Sequence, residues 1–256
     1  MKKKIVYEQP LNERMRTLLR LEHLLIGMMY HFKGPAEWDS RAGIEALINI
    51  LDFMGRIDFR TELIKDLEHH VAGLERWQRT PQVDTERVSA LVKQVVQVLE
   101  KLRAVREFSI ENLSQNQLIN QIRQRSSIPG GNCRCDLPHY YHWLQKNPKQ
   151  RQSDLSEWLM PLELLREALE LDLYLIRNNA IPSQEIALTG FYQSKLDAQA
   201  SYQLIQVMLP IEHPNYPEIN GGKQRFTIRF FEWIRSEGKP VQTQQDIHFD
   251  LNCCMI

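Results

Sequence analysis

At Ile181-Pro182 the spacing of apolar residues changes period, and this change restricts the chain to a fold with a helical part and a sheet part. From about residue 12 to 180 apolar residues recur at i, i+3, i+4 and i+7. Ile44, Leu47, Ile48, Leu51 and Met54 form one such stripe, and Val88, Leu91, Val92, Val95, Leu99 and Leu102 form another. Asn12, Asp58 and Asp84 stand where helices begin, because a short polar side chain can accept a free amide of the first turn. Asp39 or Ser40 is expected to start the second helix, Ser114 to precede a shorter one, and Asp154 to about Asn179 to form the longest. Pro161 should kink that last helix or start a new segment.

After Ile181-Pro182 the alternation has period two. In "RFTIRFFEWI", Phe226, Ile228 and Phe230 face one way and Arg225, Thr227 and Arg229 the other. "DIHFDLNC" alternates in the same manner. "SYQLIQVMLPI" and "EIALTGFYQ" read as two further strands, and "IEHPNYPEINGGK" reads as a loop by its Pro, Asn and Gly content. "KKIVYE" near the start is a lone strand that needs a sheet to join. The fold class is therefore α+β. Residues 1–182 form a helical domain, with 3–9 a strand joining the β domain, and residues 183–256 form a mostly antiparallel β domain.

Lys+Arg and Asp+Glu are both 32, and this balance argues against a general nucleic-acid binder, which carries a basic excess. The opening "MKKKIVYEQPLNERMR" has no apolar core of a secretory leader, and no run approaches the ~20 apolar residues of a membrane span. A cytoplasmic location is expected, with no membrane association. In a reducing compartment the four cysteines should be free thiols.

The segment "SIPGGNCRCDLPHYYHW" resembles chemistry most closely, since Cys133, Cys135, His139 and His142 fall within ten residues. Zinc knuckles usually bring ligands from two separated segments with Cys-x₂₋₄-Cys spacing, so this pattern is a poor match. A Pro-Gly-Gly turn leading into a helix that Asp136 caps and Pro138 opens accounts for it better. There is no Walker A loop, no GxGxxG after a strand and no GxSxG elbow. No catalytic constellation is present.

Arginine stands out instead. Arg225 and Arg229 share one strand face about 13 to 14 Å apart, with Lys223 ahead of them. Arg123 and Arg125 end a helix, and Arg16 and Arg20 share a helix face at i, i+4, where like charges repel unless compensated. A guanidinium fork suits a carboxylate. A basic sheet face flanked by Trp233 and Tyr192 would suit a short acidic peptide with apolar anchors.

Several of these stretches together resemble the ZapD family of bacterial cell-division proteins. They are "IVYEQPLNERMRTLLRLE", "FRTELIKDLE", "IRQRSSIPGGNCRCDLPHYYHWL", "LTGFYQ" and "RFTIRF", in order from about residue 4 to Cys254. The resemblance implies a non-enzymatic, cofactor-free homodimer. It would bind the disordered C-terminal tail of FtsZ, the tubulin-like division GTPase, bundle its filaments and be recruited to the Z-ring at midcell. Arg225 and Arg229 match arginines of the family's tail site. Arg16, Arg20 and Arg56 match basic positions on its helical side, and Lys223, Arg123, Arg125, Tyr141 and His142 complete the expected partner-binding set. Gln117 stands where the family can show an arginine, and Tyr141 where it can show a histidine, so that wall should be less basic. Met28, Met29 and Tyr30 are a candidate dimer seam. The alternative reading of the chain is a zinc-binding protein or metalloenzyme using Cys133, Cys135, His139 and His142.

Overall fold

The structure, a computed structural model, describes residues 3–79, 84–105, 108, 113, 115–222, 224–234 and 238–256. It is α+β and divides into two compact units: Leu19–Asp172, and Met1–Leu18 together with Leu173–Ile256.

The helical unit follows the apolar periodicity. Its described helices are α1 (Glu13–Lys33), α2 (Glu37–Met54), α3 (Phe59–Gln78), α4 (Thr85–Ala104), α5 (Gln117–Arg125), α6 (Pro138–Leu144), α7 (Pro148–Leu159) and α8 (Glu163–Arg177). The division between units falls inside α1 and inside α8. The stripe Ile44, Leu47, Ile48, Leu51 of α2 is buried, as are Val95, Leu99 and Leu102 of α4. Asp58 accepts the amide of Thr61 and Asp84 that of Arg87, both at 3.1 Å. The second helix starts earlier than expected, at Glu37. Asp39 lies inside its first turn, where it accepts the amide of Ala36 at 3.1 Å. Asn116 caps α5; Ser114 lies outside the described residues. Around Pro161 the chain tightens into a 3₁₀ turn, Met160–Leu162, and a new helix follows, because proline cannot donate to the preceding turn.

Two buried polar groups tie this unit together. His70 Nε2 lies 2.9 Å from Asp172 Oδ1, with both side chains sealed from solvent. Arg151, only 5% exposed, donates to Ser40 Oγ (3.0 Å) and to the carbonyls of Leu144 (2.9 Å), Lys146 (2.6 Å) and Pro35 (2.6 Å). It satisfies carbonyls at the end of α6 and beyond the end of α1, groups that helix ends leave without partners.

In the β unit one sheet has the order β1-β4-β8-β2: β1 (Lys4–Pro10), β4 (Tyr202–Pro210), β8 (Ile247–Met255) and β2 (Ser183–Ala187). The second has the order β3-β6-β5, with β7 also on β6: β3 (Phe191–Lys195), β6 (Arg225–Ile234), β5 (Asn215–Gly221) and β7 (Lys239–Gln242). Every pairing is antiparallel, and the N-terminal strand does join the sheet, with Tyr7 opposite Val207. Ile205, Val207, Phe249 and Leu251 of the first sheet pack with Phe226, Ile228 and Phe230 of the second in one core. The middle of the first sheet's other face, over β4 and β8, is closed too. Glu8, Gln206 and Asn252 line up across β1, β4 and β8, and Arg177 of α8 grips Glu8 with two bonds of 2.8 Å. A strand covered on both faces reads as a continuous apolar run, which is why "LIQVML" does not alternate cleanly.

Two expectations fail here. "EIALTGFYQ" is two strands in different sheets, β2 and β3. Between them Thr189 and Gly190 take φ of 50° and 72°, the left-handed region that reverses the chain. A Cβ on Gly190 would meet the Thr243 carbonyl oxygen at 2.5 Å. "IEHPNYPEINGGK" contains strand β5 rather than only a loop: it lies at a sheet edge, where Pro217 costs little. Gly190→Ala is therefore expected to lower stability by about 1–3 kcal/mol, read as a reduced denaturation midpoint.

Candidate partner-binding face

The sheet β3-β6-β5 has one face on the core and one in solvent, and the strand registers fix which side chains share the solvent face. Lys195 stands opposite Arg225. The next row is Gln193, Thr227 and Asn220, and the one after is Phe191, Arg229 and Glu218. Then come Tyr216 and Phe231, their rings stacked at 6.1 Å, and finally Trp233 opposite Pro240, with the indole 58% exposed. The face is cationic at one end and aromatic at the other, over about 27 Å at ~3.4 Å per residue. Beside it, edge strands β1 and β5 border a groove of about 680 Å³ lined by Val6, Gln9, Pro217, Glu218, Thr227 and Arg229.

Arg225 and Arg229 are both exposed, and neither side chain makes a hydrogen bond or ion pair among the described residues. The same holds for Lys195, which sits directly across from Arg225. Like charges in directly opposed positions of an antiparallel pair destabilise it. Glu218 stands opposite Arg229 without forming an ion pair, and Glu8 on the groove wall is already held by Arg177. Among the described residues, then, no side chain of this unit pairs with the cationic charge near Arg225. Lys195 was not legible in the sequence, since only the Gly190 turn sets the register of β3. Tyr192, expected to flank the face, turns inward instead. Its ring lies 5.3 Å from that of Phe249, and burial raises its hydroxyl above the ordinary value. Phe191 takes the outward position.

The other expected residues are placed as follows. Lys223 lies outside the described residues. In the β unit, Arg16 pairs with Glu13 at 3.1 Å, which offsets the expected repulsion along that helix face. In the helical unit Arg20 and Arg56 are exposed without side-chain partners among the described residues. Arg123 is bound to Asp52 and Arg125 lies 3.5 Å from Asp136. Tyr141 is half-buried under the Arg134 guanidinium, 5.7 Å from the ring centre, and His142 is exposed. Of the suggested seam, Met28 is core, Met29 is half-buried and Tyr30 is exposed.

The zinc alternative finds no support. Among the described residues the only group of three or more possible ligands within 4.8 Å of one another is Cys133, Cys135 and Asp136, and His139 and His142 do not join it. Asp136 does not cap α6 either. Leu137 occupies that position, with Pro138 opening the helix.

Fold and face together define an α+β protein that presents a cationic and aromatic sheet surface to solvent. The family model of the ZapD cell division proteins matches residues 19–229. Among similar proteins, the cell division protein ZapD of Methylococcus capsulatus is 36% identical over 256 residues, covering 100% of both chains. That of Coxiella burnetii is 36% identical over 253 residues and that of Klebsiella pneumoniae 37% over 250, each covering 98% of both chains. The chain belongs to the ZapD family of cell division proteins. No helix among the described residues is long and apolar enough to cross a membrane.

Proposed function

We propose that the protein is a non-enzymatic cell-division adaptor that binds the acidic, partly apolar C-terminal tail of FtsZ on the outer face of β3-β6-β5. As a homodimer in the cytoplasm, it cross-links FtsZ filaments at the midcell Z-ring. The observation that carries this reading is the opposed and exposed Lys195 and Arg225, which make no hydrogen bond or ion pair among the described residues. A fold tolerates such a pair at a cost, and an incoming carboxylate removes that cost. The aromatic end offers anchors for the apolar residues of the same extended segment.

One site need bind only weakly, because ordering a flexible tail consumes part of the interaction energy. Filaments carry a tail on every subunit, so two sites in one dimer gain from effective concentration. Co-sedimentation with FtsZ filaments tests the reading: the protein should pellet with full-length FtsZ and remain in the supernatant when the terminal peptide is removed. Pelleting without that peptide refutes the tail as the ligand.

Lys195→Gln gives a sharper check, because its two effects have opposite signs. Tail binding should weaken, while fold stability holds or rises by up to about 1 kcal/mol as the like-charge pair is relieved. Binding isotherms and denaturation midpoints on the same variant report both.

A further inference from the structure

Away from the sheet face, the turn between α5 and α6 carries chemistry of its own. Cys133 is half-buried, Cys135 is exposed, and their sulfurs stand 2.6 Å apart. The backbone holds them there. Gly130 has a φ of 70°, and the Cys133 amide donates to its carbonyl at 3.0 Å. The Cys133 carbonyl in turn accepts the amides of Asp136 (3.2 Å) and Leu137 (3.0 Å), fixing the turn to the start of α6. Gly131 packs so closely beneath α5 that a Cβ would lie 2.7 Å from the Arg125 carbonyl oxygen. Asp136 Oδ2 accepts a hydrogen bond from the Cys133 thiol at 3.2 Å. The other two cysteines differ in kind: burial pushes Cys253 up to about 11 and Cys254 to about 12, so both remain protonated and unreactive.

We propose that Cys133 and Cys135 form a redox-active dithiol that closes to a disulfide within the turn by exchange with a low-molecular-weight disulfide. Cys133, whose proton already points at Asp136, loses it to solvent and attacks one sulfur of the small disulfide. A mixed disulfide forms and one small thiolate leaves. Cys135 then loses its proton and attacks the Cys133 sulfur, releasing the second thiolate. The two cysteine thiols are oxidised, one small disulfide is reduced to two thiols, and the two protons end on those products. The hydrogen bond with Cys133 holds the Cys135 thiol above its ordinary value in the reduced turn, so Cys135 is not the first to attack. Closure removes the donor that Cys133 gives to Asp136, the carboxylate that also meets Arg125.

The test uses the full-length reduced protein, oxidised glutathione, rapid alkylation and peptide mass mapping. The peptide holding both cysteines should lose two hydrogens and take up no alkylating reagent, while Cys253 and Cys254 are alkylated after denaturation. Cys135→Ser should stop at a stable glutathione adduct on Cys133. The proposal is overturned if both cysteines stay fully alkylatable in excess oxidised glutathione, if oxidation links two chains instead, or if wild type and Cys135→Ser accumulate the same adduct.

Discussion

Reversing the charge at both Arg225 and Arg229 to Glu is expected to abolish the proposed bundling of FtsZ while leaving the proposed dimer and the fold intact. Both guanidinium groups are exposed and make no side-chain bond among the described residues, so nothing internal is lost with them. Each hydrogen bond to a charged partner contributes about 1.5–3 kcal/mol. Losing two such contacts therefore weakens a site roughly a hundredfold or more. Reversal adds repulsion to that loss. Because the proposed bundling needs both sites of a dimer, the effect on sedimented filament should be steeper than on single-tail affinity. Bundling that survives at low salt, where screening is weakest, would move the tail site elsewhere. Unchanged circular dichroism and sedimentation velocity show that any loss is local.

The second large effect is one of stability. Arg151→Met should lower stability by about 3–5 kcal/mol, since it strands several buried acceptors at about 1–3 kcal/mol each, part of which relaxation recovers. Here those others are Ser40 Oγ and three backbone carbonyls in a region almost closed to water. At roughly 2–4 °C per kcal/mol for a chain of this size, the melting temperature should fall by about 6–20 °C. Arg151→Lys should recover only part of it, because a single ammonium cannot reach acceptors that a planar fork addresses from three nitrogens. A melting temperature within a degree or two of wild type would show that water or a neighbouring side chain substitutes for the guanidinium.

Local chemistry made much of the helical unit legible. Asp58 and Asp84 declare themselves as caps from sequence because a cap acts only on the next turn. Arg151 did not, since its partners Pro35 and Ser40 are more than a hundred residues away and follow only from packing. In the sheets, Phe226, Ile228 and Phe230 fix the phase of β6, and with it the outward direction of Arg225 and Arg229. β3 has no such signature. In "FYQSK" both aromatic residues could turn inward, and a shift of one residue exchanges the faces. Only the left-handed turn at Thr189-Gly190 decides that Tyr192 packs and that Lys195 meets Arg225. The strand β5 was hidden by its own composition, since Asn and Pro at an edge resemble a loop.

The pairing of β1 with β4 sets an order of events during synthesis. Residues 4–10 leave the ribosome well before their partners at 204–210, some two hundred residues later, and β8 must still insert beside β4. The helical unit between them is contiguous and can collapse on its own contacts meanwhile, whereas closing so long a loop delays the sheet. The surface proposed to meet the partner therefore belongs to a unit that closes later than the helical one, and a nascent chain is without it until β8 has emerged.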